Sequence, residues 1–183
     1  MKKTFLTFVL MLIVAVLQAQ TLIKANFNKG DKATYEYAAN LEFGSMMQGS
    51  TLTANVTSKL HVDVKEANGE GYQIELLFSD VKVDGDETAF QQSGGQLLTM
   101  LNNVPLLYQT DKTGTLKKLL NSEEVIGKMS KTGIAKIDSL YAKNPEIEKV
   151  NPKMNMLMAL SNTLTEEFIT EYVKEQTVFN VLP

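Results

Sequence analysis

The sequence contains no cysteine and no arginine. Without thiols the chain cannot form disulfides, thiolate metal sites or the modified cysteine of a lipoprotein. Without guanidinium groups, and with a net charge of −3, it is poorly suited to binding nucleic acid or to bidentate recognition of phosphate groups. We therefore predict a protein that binds no nucleic acid and whose fold depends on its hydrophobic core alone.

Histidine is nearly as scarce, because His61 is the single one in the chain. Asp63 follows it on the same face of a predicted strand, so an imidazole–carboxylate pair is geometrically possible. A hydrolase would also need a nucleophile, and the sequence has no Gly-x-Ser-x-Gly motif. His61 also lies among Thr57, Lys59 and Lys65, a pattern typical of a solvated sheet face. We therefore expect His61 at the surface and predict no enzymatic activity and no cofactor.

The longest apolar run stands at the start of the chain. Two lysines precede the apolar segment 5–16, and Ala19 then offers a small residue before Gln20. This order is typical of a secretory signal peptide, and the run is short for a membrane span. We predict cleavage near Ala19/Gln20, which removes residues 1–19 and sends the remainder to the periplasm or outside the cell. A retained anchor is the alternative, because Leu17 is larger than the residue preferred three positions before a cleavage site.

Residues 20–183 are predicted to form one α+β domain that begins with strands at about 21–84. Alternation is clearest at 51–65, where apolar side chains fall on one face and polar side chains on the other. A turn-forming loop leads into a return strand, and a slip of phase near 79–80 predicts a β-bulge. Strands this long in a small chain predict a curved antiparallel sheet, as a half-barrel or an open barrel.

The rest of the domain has helical patterns at about 88–101 and 122–178, separated by a short hairpin at about 106–119. Asn121 and the acidic residues after it predict a capped helix start. Pro152 and Thr165 predict two further helix starts. We expect these helices to pack on one face of the sheet.

Methionine is plentiful, with nine in the chain. Met154, Met156 and Met158 offer thioethers that suit cuprous copper, although helical spacing points Met156 nearly opposite to the other two. Methionine is also flexible and polarisable, which suits apolar ligands of variable shape and equally suits an ordinary core. The sequence therefore does not decide whether these methionines bind copper, contact an apolar ligand or pack in the core.

Several segments resemble exported proteins of Bacteroidota that have no assigned reaction. Segment 27–37, where a glycine turn leads into a Tyr-x-Tyr strand, is similar to their opening. Segment 108–121, with an Asp-Lys-Thr-Gly turn, resembles their middle part, and 18–20 resembles their processing site. Such proteins usually continue into further strands, so the apolar segment 178–183 leads us to expect that this chain is the N-terminal part of a longer protein.

The long strands and inserted helices of that family resemble the half-barrel of periplasmic lipoprotein carriers, which implies an apolar or lipid-like ligand held between sheet and helices. The alternative is a structural or protein-interaction component of the cell envelope, with a filled core and an exposed sheet edge for a partner protein. The predicted ligand-binding residues come from inner strand faces and the methionine helix: Leu60, Val62, Ile74, Leu76, Phe78, Met154 and Met158.

Overall fold

The computed structural model describes residues 26–44, 51–85 and 95–176. The strands in these ranges are β1 (Lys32–Gly44), β2 (Thr51–Asn68), β3 (Gly71–Gly85), β4 (Pro105–Thr110) and β5 (Leu116–Leu119). The helices are α1 (Gly95–Leu101), α2 (Ser122–Lys143), α3 (Ile147–Val150), α4 (Lys153–Thr163) and α5 (Glu166–Gln176). The strands form one open sheet in chain order, each antiparallel to its neighbour. The predicted α+β fold, with an open antiparallel sheet followed by helices, is confirmed.

The alternating sequence explains the two longest strands. Every even-numbered residue of β2 from Ala54 to Val64 is buried, whereas the odd-numbered residues between them are exposed or half-buried. On β3 the same alternation buries Ile74, Leu76 and Phe78. Because burying one such aliphatic side chain stabilises a fold by about 2 kcal/mol, these rows hold the sheet against the helices.

The predicted β-bulge is present on β3. Lys59 of β2 pairs with Ser79, but Thr57 pairs with Lys82, so two residues of β3 lie opposite one residue of β2. One of the two is Asp80, whose φ of 54° is in the left-handed region. The extra residue restores the phase of the alternation, which is why the apolar residues on either side of the bulge can share one face.

Asp111 organises the turn between β4 and β5. Its Oδ1 accepts hydrogen bonds from the backbone N–H groups of Thr113 at 2.9 Å and Thr115 at 3.1 Å. Partial burial acts to raise the pKa of Asp111, but the Lys117 ammonium, the Thr113 hydroxyl and these N–H groups outweigh it and hold the pKa well below its usual range. The carboxylate is therefore ionised at neutral pH and fixes the turn.

Asn121 precedes α2 as predicted, but its side chain does not cap the helix. The side-chain oxygen instead accepts a hydrogen bond from the Leu107 N–H at 2.9 Å, and the side-chain amide donates to the Pro105 carbonyl at 3.0 Å. Both partners belong to β4. The side chain therefore ties the start of α2 to the sheet, and the expectation of a capping hydrogen bond was wrong because two unpaired backbone groups of β4 lie within its reach.

One hydrophobic core lies between the inner face of the sheet and the helices. The helices that contribute buried side chains to it are α1, α2 and α5. No residue of α4 is buried, and this helix lies mainly against α2, where Leu160 packs over Gly133. A Cβ atom at Gly133 would stand 2.8 Å from a methyl carbon of Leu160, so the glycine lets the two helices approach closely.

Other predicted boundaries agree with the structure, and some lie outside the described residues. The hairpin at about 106–119 is β4 and β5, α2 ends before Asn144, and α5 begins after Thr165. Most of a short strand expected at 22–27 and the first part of helix 88–101 lie outside the described residues. Residues 26 and 27 are described and are not in a strand, and the described helix begins at Gly95.

Candidate functional site

The five predicted ligand-binding residues of the strands lie inside the core. Their exposed fractions are 5% for Leu60, 7% for Val62, 0% for Ile74, 0% for Leu76 and 2% for Phe78. They belong to the same cluster as Met129 of α2 and Ile169 of α5, which are fully buried. The space next to these strand residues is thus occupied by side chains of the protein itself.

The two predicted methionines lie elsewhere. Met154 and Met158 of α4 are 62% and 52% exposed, and neither belongs to the core or to the partly buried side chains that pack on it. The structure therefore does not bring these methionines to the five strand residues. The proposal that all seven residues line one ligand site stays a prediction.

The segment with Met154, Met156 and Met158 is a regular helix, so the three thioethers do not share one face. Among the residues that the structure describes, no group of three or more histidine, cysteine or acidic side chains is placed to hold a metal ion. In the same ranges, no helix has both the length and the apolar character needed to cross a bilayer.

His61 lies on the outer face of the sheet between two hydroxyl groups. Its Nδ1 is 3.0 Å from Oγ1 of Thr34 on β1, and its Nε2 is 2.8 Å from Oγ of Ser79 on β3. Asp63 pairs instead with Lys65 at 2.8 Å and with Lys32. A serine and a histidine are thus in contact, but a hydroxyl stands where a carboxylate would have to stabilise an imidazolium. The contact joins three neighbouring strands.

Charged side chains cover the rest of the outer face. Hydrogen bonds from Lys65 and then Lys32 hold the pKa of Asp63 below its usual value. Lys59 reaches Asp80 at the bulge at 2.9 Å and lowers the pKa of that carboxyl as well. Exposed pairs of this kind contribute little to stability, because water and salt screen them. These charged side chains keep the outer face of the sheet solvated.

The surface of the described residues includes two shallow depressions of note. One of about 260 Å³ lies beside the bulge and includes Glu36, Lys59 and Asp80 in its lining. The other, of about 330 Å³, lies between β5 and α5 and includes Lys117 and Glu166. Most of the residues that line both depressions are polar or charged, with charges of both signs, and neither lining includes any of the seven predicted ligand-binding residues. Neither depression suits an apolar chain.

The outer edge of β1 is the most distinctive surface of the sheet. The Val64 N–H donates to the Asp31 carbonyl, which places Asp31 at a hydrogen-bonded position toward β2. The direction in which backbone N–H and C=O groups point alternates from one residue to the next along a strand. Because no register shift interrupts the β1–β2 pairing, the even-numbered residues of β1 point their backbone groups away from β2. Within the described ranges, no strand pairs with this edge. The side chains at these positions are all exposed: Lys32, Thr34, Glu36, Ala38 and Asn40.

The opposite edge of the sheet is protected. Strand β5 has only 4 residues, against 13 in β1. Its Leu119 N–H donates to Oε1 of Glu166 at 3.1 Å, and α5 packs alongside. Short strands and covering helices are the usual means of closing a sheet edge. The two outer edges of the sheet therefore differ in availability: in the described part of the chain the edge strand β1 is long and open, whereas β5 is short and covered.

The sequence indicates an exposed sheet edge only in general terms and does not assign it to a strand. It also does not identify Thr34 and Ser79 as partners of His61. Alternation places both on the outer face, but the pairing register that brings them together is not readable from the sequence. No protein-family model, curated protein or solved structure matches this chain.

Proposed function

We propose that the mature chain is an exported, non-enzymatic protein-interaction domain of the cell envelope that receives an extended strand along the open edge of β1. The observation that carries this proposal is the row of outward backbone groups from Lys32 to Asn40, all at exposed positions. The signal peptide predicted in residues 1–19 supports the envelope as its place of action.

Backbone chemistry makes such an edge a binding surface. Each outward residue presents one N–H donor and one carbonyl acceptor, and an added strand satisfies both in the geometry that β1 already has. No proline interrupts Lys32–Gly44, so the run of donors is continuous. An incoming strand gains affinity from these hydrogen bonds and specificity from the side chains on the two faces.

The side chains of β1 add apolar contact on the inner face. Tyr35 pairs with Leu60, which is buried, yet Tyr35 itself is 46% exposed. The helices thus cover Leu60 of β2 but leave the ring of Tyr35 on β1 partly uncovered. A strand added beside β1 would place its own inner-face side chains next to this ring.

The interaction role is favoured over the carrier role by the placement of the predicted ligand-binding residues. Ile74 and Leu76 are fully buried by neighbouring side chains. Met154 and Met158, which were expected to contact the ligand, are exposed to solvent. An acyl chain between sheet and helices would have to displace packed side chains such as Met129.

Site-specific photo-crosslinking in the cells that make the protein tests this proposal. A photoreactive amino acid in place of Ala38 is expected to crosslink the chain to an exported protein and to give one discrete product. The same amino acid at Lys118, exposed on the short strand β5, serves as the matched control and is expected not to give it.

The substitution Glu36→Pro sharpens the test, because it removes an outward N–H of β1 while leaving the bonds to β2 in place. The Ala38 product is expected to disappear in this variant, with the melting temperature nearly unchanged. Equal crosslinking from Lys118, or an Ala38 product that survives Glu36→Pro, would contradict binding along the edge.

A further inference from the structure

We propose that Met154 and Met158 of α4 are a modification site, at which a peroxide oxidises both thioethers to sulfoxides while the fold stays intact. The two side chains are 62% and 52% exposed, and both belong to the regular helix Lys153–Thr163. Because residues four positions apart lie on the same face of a helix, the two thioethers are neighbours on one solvent-facing surface.

The chain offers a peroxide only one kind of sulfur. It has nine methionines and no cysteine, so all of its sulfur is in thioethers. A lone pair on the thioether sulfur attacks one oxygen of hydrogen peroxide, and the O–O bond breaks. The sulfur gains that oxygen and loses two electrons, while the other oxygen takes up both protons and leaves as water. Export, predicted from residues 1–19, would place the chain in an oxidising compartment.

Burial separates these two methionines from the methionines of the core. Met129 of α2 is fully buried and Met100 of α1 is 6% exposed, and both belong to the hydrophobic core. A peroxide reaches their sulfur atoms only when the structure opens locally, because oxidation follows exposure. A sulfoxide at Met129 would also place a polar oxygen among apolar side chains, which disrupts a core.

Other side chains of α4 attach this helix to α2. Leu160 packs over Gly133, and the Lys153 ammonium pairs with the Asp138 carboxylate at 2.7 Å. The two exposed methionines belong neither to the core nor to the partly buried side chains that pack on it. Water can therefore hydrate a sulfoxide oxygen at either position, and the contacts between α4 and α2 remain in place.

Oxidation of the folded mature protein by hydrogen peroxide, resolved by site, tests this proposal. Proteolysis and fragmentation mass spectrometry follow the gain of one oxygen at each methionine with time. Met154 and Met158 are expected to oxidise at least about tenfold faster than Met129, and urea is expected to remove that difference. Once both exposed methionines carry an oxygen, circular dichroism is expected to show an unchanged melting temperature.

The double substitution Met154→Leu and Met158→Leu is the matched control, because leucine keeps a similar volume and apolar character without the sulfur. The variant receives the same peroxide treatment, so it reports what oxidation at the remaining methionines does to the fold. Oxidation of Met129 as fast as that of Met154 in the natural chain would overturn the proposal. A fall in melting temperature on oxidation that the treated variant does not share would overturn it as well.

Discussion

Replacing Leu76 by alanine is expected to lower the free energy of unfolding of the mature protein by about 3 kcal/mol. Leu76 is fully buried on β3 and belongs to the core shared by sheet and helices. Truncation removes apolar contact and leaves a cavity that the surrounding strands cannot collapse to fill. Urea denaturation followed by circular dichroism measures the change.

Met158→Ala is the matched control, because it also shortens an apolar side chain but at an exposed position of α4. We expect it to change the free energy of unfolding by less than about 0.5 kcal/mol. The comparison also bears on the rival function. A loss below about 1 kcal/mol for Leu76→Ala would show that its side chain adjoins open space, as in a ligand site, rather than a filled core.

Replacing Gly71 by alanine is expected to cost about 2–3 kcal/mol, the next largest effect. A Cβ atom there would stand 2.1 Å from the carbonyl oxygen of Thr110 and 2.9 Å from its carbonyl carbon. Both atoms belong to the backbone of β4, so relief requires the β3–β4 pairing itself to shift. Thermal denaturation of the variant checks this expectation.

Gly69 provides the control in the same hairpin loop. A Cβ atom at Gly69 meets nothing within 4 Å, so Gly69→Ala is expected to stay within about 0.5 kcal/mol of the natural protein. Equal destabilisation by the two substitutions would mean that backbone freedom in the loop, and not the close approach of β4, explains the need for glycine at position 71.

The sequence predicted the sheet well where one physical rule decides the outcome. Alternation from Ala54 to Val64 leaves a single way to bury the apolar side chains of β2, and the slip of phase near Ser79 allows only a bulge. The helix boundaries at Asn121 and Asn144 were predictable for a similar reason, because turn-forming residues flank a regular apolar stripe.

The candidate site was less predictable, because it depends on contacts between distant segments. Apolar residues lie all around α4, including Met154, Met156 and Leu160, so its sequence does not specify which face is buried; the structure sets α4 against α2. Asn121 could cap a helix or bind β4, and only the fold decides between them. The open edge likewise follows from strand order, which alternation does not reveal.

The proposed function depends most on the outer edge of β1 being open in the mature protein. Residue-resolved amide exchange of the purified mature protein measures this directly. In dilute solution the outward amides of Thr34, Glu36 and Ala38 are expected to exchange much faster than the inward amides of Tyr35 and Tyr37.

Outward amides that exchange as slowly as the inward ones would contradict the proposed function, because the edge would then already be covered.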